Sequence, residues 1–162
     1  MARTLTRIAE AGGPFPELPR RPGAYTRTCA YQDDRFEVLL LDWSPGAASP
    51  IHDHGGQHCW FVVLRGRLWI DDYVRTDRAD VPGRATLEPR GARMLDRGDL
   101  DLRSGRFDIH RLAATDAPAL SLHVYSRPLE SFSTYDPKAQ RCTVARSTYD
   151  LVLPLFELPG AA

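Results

Sequence analysis

Two histidines separated by a single residue, His52 and His54, constrain this chain more than any other feature. A glycine-rich turn and a strongly apolar run follow them, from Gly55 through Arg65. Residues i and i+2 of a β-strand project to the same face of a sheet, so the two imidazoles are predicted to point together into the interior of a β structure. The alternative is that both are surface loop residues.

The pattern of the chain after residue 23 is that of short β-strands separated by Gly, Pro and Asp. Residues 1–23 are predicted to be an extended lead-in with a possible short helix, and residues 24–162 a single domain. The segment 65–67 is predicted to be the turn of a hairpin. Many short strands with little helix favour an antiparallel barrel or sandwich. The predicted strands are 35–44, 60–64, 68–74, 85–88, 100–103, 107–113, 119–126 and 140–144.

Composition excludes several classes of function. The chain has 162 residues, enough for one domain with a substantial core, and its 21 basic and 21 acidic side chains balance. No global charge would attract nucleic acid or an anionic membrane. Three cysteines without a disulfide-framework spacing, and an N-terminal segment without the apolar run of a signal peptide, predict a cytoplasmic protein. A monomer or small homo-oligomer is expected, although no feature of the sequence decides between them.

A metal site would need a third ligand besides His52 and His54. The remaining histidines are His58, His110 and His123. His110 lies in a predicted strand well downstream, and this makes it the best candidate. Imidazole binds iron, zinc, nickel and copper alike, so the ligand type alone does not name the metal.

Four segments of the chain, in order, resemble the cysteine dioxygenase family of thiol dioxygenases, small cupins that use non-haem Fe(II). They are 25–27, 52–59, 109–111 and 121–128. The resemblance implies an all-β fold, a single small cupin (jelly-roll-like) β-barrel. It also implies Fe(II) held by His52, His54 and His110, and oxidation of L-cysteine by O2 to cysteine sulfinic acid.

The resemblance assigns two substrate-binding residues. Arg27 would bind the substrate carboxylate, a task suited to a planar guanidinium with paired N–H donors. Tyr25 lies at i−2 on the same strand face and would add a hydroxyl to that pocket. Outside the family context, Arg27 would be read as a solvated strand arginine.

A row of alternating polar residues, Ser121, His123 and Tyr125, would face one side of its strand. In the family such a row is a hydrogen-bond relay that positions the tyrosine hydroxyl beside the reacting atoms. Cys59 takes the place where most cupins have a glutamate ligand. It resembles the cysteine that forms a thioether with the tyrosine, here Tyr125. The alternatives are an outward polar stripe for the row and a small buried apolar residue for Cys59.

The sequence is compatible with three functions. The first is an L-cysteine dioxygenase, whose partners are a small thiol and O2. The second is a dioxygenase for another small thiol, 3-mercaptopropionate or a natural-product thiol; the pairing of Arg27 with Tyr25 favours cysteine. The third is a non-catalytic metal- or ligand-binding cupin, which would leave the relay residues without a role. A cupin isomerase or hydrolase with another metal is disfavoured by the missing glutamate.

Overall fold

The computed structural model of the protein describes residues 1–12, 15–105 and 108–154. One helix precedes twelve strands in this part of the chain. These elements are α1 (Ala2–Ala11), β1 (Tyr25–Gln32), β2 (Glu37–Trp43), β3 (Ile51–His52), β4 (Cys59–Arg65), β5 (Leu68–Arg75), β6 (Leu87–Leu95), β7 (Leu100–Arg103), β8 (Ile109–Ala114), β9 (Ala119–Tyr125), β10 (Ser131–Asp136), β11 (Arg141–Arg146) and β12 (Leu151–Val152).

The strands form two six-stranded sheets that face each other. The first has the order β12-β1-β2-β9-β4-β7 and the second the order β11-β10-β3-β8-β5-β6. All strand pairs are antiparallel except β1 with β12. Most neighbouring strands are distant in sequence, as in a jelly roll, although β1 pairs with β2, β5 with β6 and β10 with β11. The prediction of an all-β cupin fold with little helix is confirmed.

The two faces of the first sheet are both buried, for different reasons. Its inner face packs on the second sheet in a core that includes Leu39, Phe61 and Ile70. Its outer face is covered by α1, whose Leu5 and Ala9 pack on a second apolar cluster. The strand β9 is therefore buried on both sides, and its apolar residues face α1 while its polar row faces inward.

The predicted hairpin at residues 65–67 is wrong. Strand β4 pairs with β7 and β9, and β5 pairs with β6 and β8, so the turn carries the chain from one sheet to the other. Gly66 has a φ of 71°, and a Cβ there would lie 2.4 Å from the carbonyl oxygen of Pro118. The glycine is therefore required because the turn passes close against the backbone at the start of β9, and not because it closes a hairpin.

Several elements differ from the sequence-based expectations. The lead-in contains a helix of 10 residues, and β10 and β12 were not predicted. The strand expected at 85–88 lies further along, at β6. Strand β12 adds to the edge of β1 although its side chains are largely exposed, because its contribution is backbone pairing and not apolar burial. Within the described ranges, none of the helical structure has the length and apolar character needed to cross a bilayer.

Candidate metal centre

Three histidines converge between the sheets. His52 on β3 is directly opposite His110 on β8, and His54 lies two residues beyond His52, in the turn that follows the strand. The candidate ligand atoms of the three all lie within 4.8 Å of one another. The prediction that both residues of the motif sit on one strand is wrong, since β3 ends at His52, yet the side chains still meet.

Asp53, between the two histidines, explains why they meet. Its buried carboxylate accepts hydrogen bonds from the backbone N–H groups of Gly55 (3.0 Å) and Ser133 (2.9 Å) and from the Tyr135 hydroxyl (2.7 Å). These bonds tie the turn to β10. Gly55 has a φ of 60° and a Cβ on it would be 2.8 Å from the Ser131 carbonyl oxygen, so the turn passes close against the same strand.

The electrostatics of the cluster suit a cation. Burial lowers the pKa of His52 to about 4 and holds the pKa values of His54 and His110 well below the usual range, so all three rings are neutral at pH 7. Both ring nitrogens of His110 and the Nδ1 of His54 are buried without a hydrogen-bond partner among the described residues. The Nδ1–H of His52 donates to the Pro50 carbonyl oxygen (3.0 Å), which leaves its Nε2 free of a proton. Neutral imidazoles with orphaned nitrogens fit a divalent metal ion.

Strand β1 brings Arg27 and Tyr25 to the interior that holds the three histidines. The positive charge of Arg27 adds to burial in lowering the pKa values of His52 and His54, and it partly offsets the burial that raises the pKa of Tyr125. Its Nε is buried and has no partner within the described part of the chain, while its Nη2 donates to the Ser147 hydroxyl at 2.9 Å. Burial raises the pKa of Tyr25, whose hydroxyl interacts with the Arg27 guanidinium. The two residues thus lie together, as predicted.

The polar row of β9 is linked by hydrogen bonds, and one of its links was not predicted. The Trp43 indole N–H donates to the Ser121 hydroxyl (2.9 Å), which lies 2.8 Å from Nε2 of His123. The Nδ1 of His123 is 3.9 Å from the Cys59 sulfur. If the Ser121 hydroxyl donates to Nε2 of His123, the imidazole proton lies on Nδ1 and points at the Cys59 sulfur. Every polar hydrogen of the row then has an acceptor. Burial lowers the pKa of His123 to about 3, so the ring is neutral.

Tyr125, the last residue of the row, lies beside Cys59 and is not hydrogen-bonded to His123. The tyrosine and His123 rings are stacked at 6.5 Å, and the described hydrogen bonds of the row stop at the cysteine. Cys59 and Tyr125 are cross-strand partners on β4 and β9, and their side chains interact. Burial raises the pKa of the Cys59 thiol to about 12 and that of Tyr125 well above its usual range.

Some functional candidates were missed or left open by the sequence. His58 is exposed and lies beside Trp60, as a loop residue rather than a support for the cluster. The sequence partly indicated Asp53, because this residue sits inside the histidine motif. Nothing in the sequence around Trp43 marks it as part of the site. Ser147 has no local signal, because its contact with Arg27 joins residues 120 positions apart.

Comparison with known proteins agrees with this geometry. The sequence model of the cysteine dioxygenase type I family matches residues 21–138. Cysteine dioxygenase type 1 of Danio rerio is 30% identical over 128 residues, covering 77% of this chain and 62% of the relative. The human enzyme of the same name is 27% identical over 117 residues, covering 70% of this chain and 56% of the relative. The chain therefore spans about six-tenths of the length of these curated relatives.

A solved structure supports the fold separately. A cupin superfamily protein from Desulfitobacterium hafniense has a TM-score of 0.51 at 15% identity, covering 68% of this chain and 84% of that protein. At this identity the likeness establishes the architecture only. The family match extends over most of the chain and includes all three clustered histidines, Arg27 and the polar row of β9. This chain belongs to the cysteine dioxygenase type I family.

Proposed function

We propose that the protein is a thiol dioxygenase that oxidises L-cysteine with O2 to cysteine sulfinic acid, using Fe(II) held by His52, His54 and His110. The observation that carries this proposal is a cluster of three neutral imidazoles, with no carboxylate among its described members, that shares its interior with the Arg27 guanidinium. Family membership and the names of the curated relatives point the same way.

The proposed reaction needs no external reductant. The thiol sulfur loses four electrons, O2 gains four, and both oxygen atoms end on sulfur. Iron(II) bound to three neutral ligands would supply the electrons for oxygen activation and positions open to the substrate. The remaining work falls to the side chains of the pocket, which must bind the substrate in one orientation and set the protonation of the groups around it.

Arg27 is proposed to bind the substrate carboxylate. Its guanidinium is bonded to Ser147 through Nη2, and no partner of its Nε lies in residues 1–12, 15–105 or 108–154. A planar guanidinium presents parallel N–H donors to the two oxygens of a carboxylate. The hydroxyl of Tyr25 interacts with the same guanidinium and limits its rotation. This pair favours a thiol that carries a carboxylate, such as L-cysteine, over one that lacks it.

Tyr125 and Cys59 are proposed to act in their protonated forms. With its pKa held well above the usual range, the Tyr125 hydroxyl keeps its proton at pH 7 and can donate a hydrogen bond to the reacting atoms. The Cys59 thiol, with a pKa raised to about 12, is not a thiolate and so competes poorly with the substrate sulfur for a metal. Ser121 and His123 hold this part of the pocket in a fixed arrangement.

Anaerobic reconstitution with Fe(II), followed by oxygen uptake on a panel of thiols, tests the proposal. We expect uptake to be most efficient with L-cysteine, with one O2 consumed per sulfinate detected by mass spectrometry. Preferred use of 3-mercaptopropionate would reassign the substrate while retaining the reaction. Bound iron without uptake on any thiol would overturn the enzyme assignment and favour a binding cupin.

A further inference from the structure

The segment after β11, residues 147–153, runs beside β1 next to Arg27. The Asp150 N–H donates to the Arg27 carbonyl oxygen (2.8 Å), and the Leu153 N–H donates to the Cys29 carbonyl oxygen (2.9 Å). Between them, Leu151 pairs in parallel with Thr28. This backbone ladder fixes the position of the segment relative to the strand that carries the arginine.

The same segment holds Arg27 through side chains at two points. The Asp150 carboxylate accepts from the Arg27 backbone N–H at 2.8 Å, and the Ser147 hydroxyl accepts from Nη2 of the guanidinium at 2.9 Å. The bond to Ser147 uses one of the five N–H donors of the guanidinium. The buried Nε remains without a partner among the described residues. An unpaired buried donor is costly unless a ligand satisfies it.

A neutral hydroxyl is suited to this position. A carboxylate at residue 147 would neutralise Arg27 and repel an anionic substrate, whereas a serine oxygen orients the guanidinium and leaves its charge available. The segment is fastened a second time by Tyr149, whose hydroxyl donates to the buried Glu37 carboxylate and lies 2.9 Å from the side-chain oxygen of Gln32. Ser147 is thus held by its own backbone N–H, which donates to the Glu130 carbonyl oxygen (2.9 Å), and by the two anchored residues that follow it, Tyr149 on Glu37 and Asp150 on Arg27.

We propose that Ser147 is a positioning residue that sets the preference for carboxylate-bearing thiols. Its hydroxyl fixes the rotation of the Arg27 guanidinium, so that the charge and the remaining N–H donors of the group are held in one orientation for the substrate carboxylate. The C-terminal segment is then part of the substrate site, although it lies outside the matched family region of residues 21–138. The inference rests on the proposed thiol dioxygenase function, and it concerns the selectivity of that site.

The test compares Ser147→Ala, Ser147→Thr and the control Thr148→Ala, whose side chain is exposed on the same segment. Values of kcat/KM are measured with L-cysteine and with cysteamine, which lacks the carboxylate. Binding of both thiols to the anaerobic Fe(II) protein is measured by calorimetry. We expect Ser147→Ala to weaken L-cysteine binding and to lower its kcat/KM roughly tenfold through KM, with cysteamine unchanged. Ser147→Thr should restore selectivity, and Thr148→Ala should leave both substrates unaffected.

An unchanged ratio of L-cysteine to cysteamine in Ser147→Ala would overturn the inference, as would equal losses for both thiols. Failure of the wild-type protein to oxidise any thiol would instead refute the proposed function. Calorimetry separates the two cases, because it reports the effect of Ser147 on carboxylate binding without turnover. A wild-type protein that binds L-cysteine no better than cysteamine would also reject the role of Ser147.

Discussion

Cys59 and Tyr125 lie directly opposite each other on adjacent antiparallel strands, and both are buried. Cross-strand pairs of this kind bring side chains within contact distance without any movement of the backbone. The sulfur also lies 3.9 Å from His123, whose imidazole is stacked on Phe61. The cysteine is therefore confined beside the tyrosine by both the sheet register and its neighbours.

This confinement predicts a thioether between Cys59 and Tyr125 during turnover. The bond would form between the sulfur and a ring carbon, with loss of the thiol hydrogen and a ring hydrogen, and two electrons passing to O2. Intact mass after repeated turnover should decrease by two hydrogens, and peptide mapping should join the two strands. The decrease should be absent in Cys59→Ala. An unchanged mass in active wild-type protein would contradict the prediction.

Removal of a clustered histidine should abolish iron binding. His110→Ala deletes a buried ring whose nitrogens have no protein partner, so the lost interaction is one that only a metal would make. We expect the iron content to fall at least tenfold, while the fold is retained by circular dichroism. His58→Ala is the matched control, because its ring is exposed, and it should bind iron like the wild type. Full iron occupancy in His110→Ala would show that the metal lies elsewhere.

Asp53 should control metal affinity without contacting the metal. Loss of its carboxylate frees the turn that places His54, because three hydrogen bonds to β10 and Gly55 disappear. Asp53→Ala is expected to weaken Fe(II) binding by roughly 10–100-fold, with a smaller effect in Tyr135→Phe, which loses one bond. Competition with a chelator gives the affinity. Asp136→Ala serves as the control, because Asp136 is an exposed residue of β10, the strand that carries Tyr135. Equal Fe(II) affinities in Asp53→Ala and Asp136→Ala would reject a role of Asp53 in metal binding.

How far the sequence predicts this site depends on how local each signal is. The spacing of His52 and His54 correctly predicted that their side chains converge, but the reason was incomplete. Strand β3 ends at His52, and the buried Asp53 positions the second ring. Alternation along β9 correctly predicted that Ser121, His123 and Tyr125 share one face, because the period of a strand is a local property. That this face is the inward one was implied by the family resemblance and not by the alternation.

Nonlocal contacts account for the rest. The hairpin at 65–67 was wrong because two adjacent apolar strands can pair with each other or with distant partners, and local pattern does not distinguish these outcomes. The link from Trp43 to Ser121 joins residues 78 apart, and the contact of Ser147 with Arg27 crosses most of the chain. Such contacts follow from sheet topology, which periodicity does not encode.

Arg27 should determine the preference for carboxylate-bearing thiols. Truncation in Arg27→Ala removes a charged donor to the substrate, a loss of about 1.5–3 kcal/mol, which corresponds to roughly 10–150-fold in kcat/KM for L-cysteine. Use of cysteamine should change little. Arg111→Ala is the control, because that arginine is a strand residue beside His110 that pairs with Asp71. Equal losses for the two thiols in Arg27→Ala would indicate a structural role.

Acid should destabilise the metal-free protein through its buried histidines. Burial lowers the pKa of His123 to about 3, whereas in the unfolded chain the imidazole titrates near its ordinary value of about 6.5. As the pH falls below that ordinary value, the unfolded state binds a proton that the folded state excludes, and stability is lost. Between pH 7 and pH 5 the loss for His123 alone is about 2 kcal/mol. Urea unfolding with a chelator at the two pH values measures it. The decrease should be smaller in His123→Gln and unchanged in His58→Gln, and an equal decrease in both variants would contradict the burial of a neutral His123 ring.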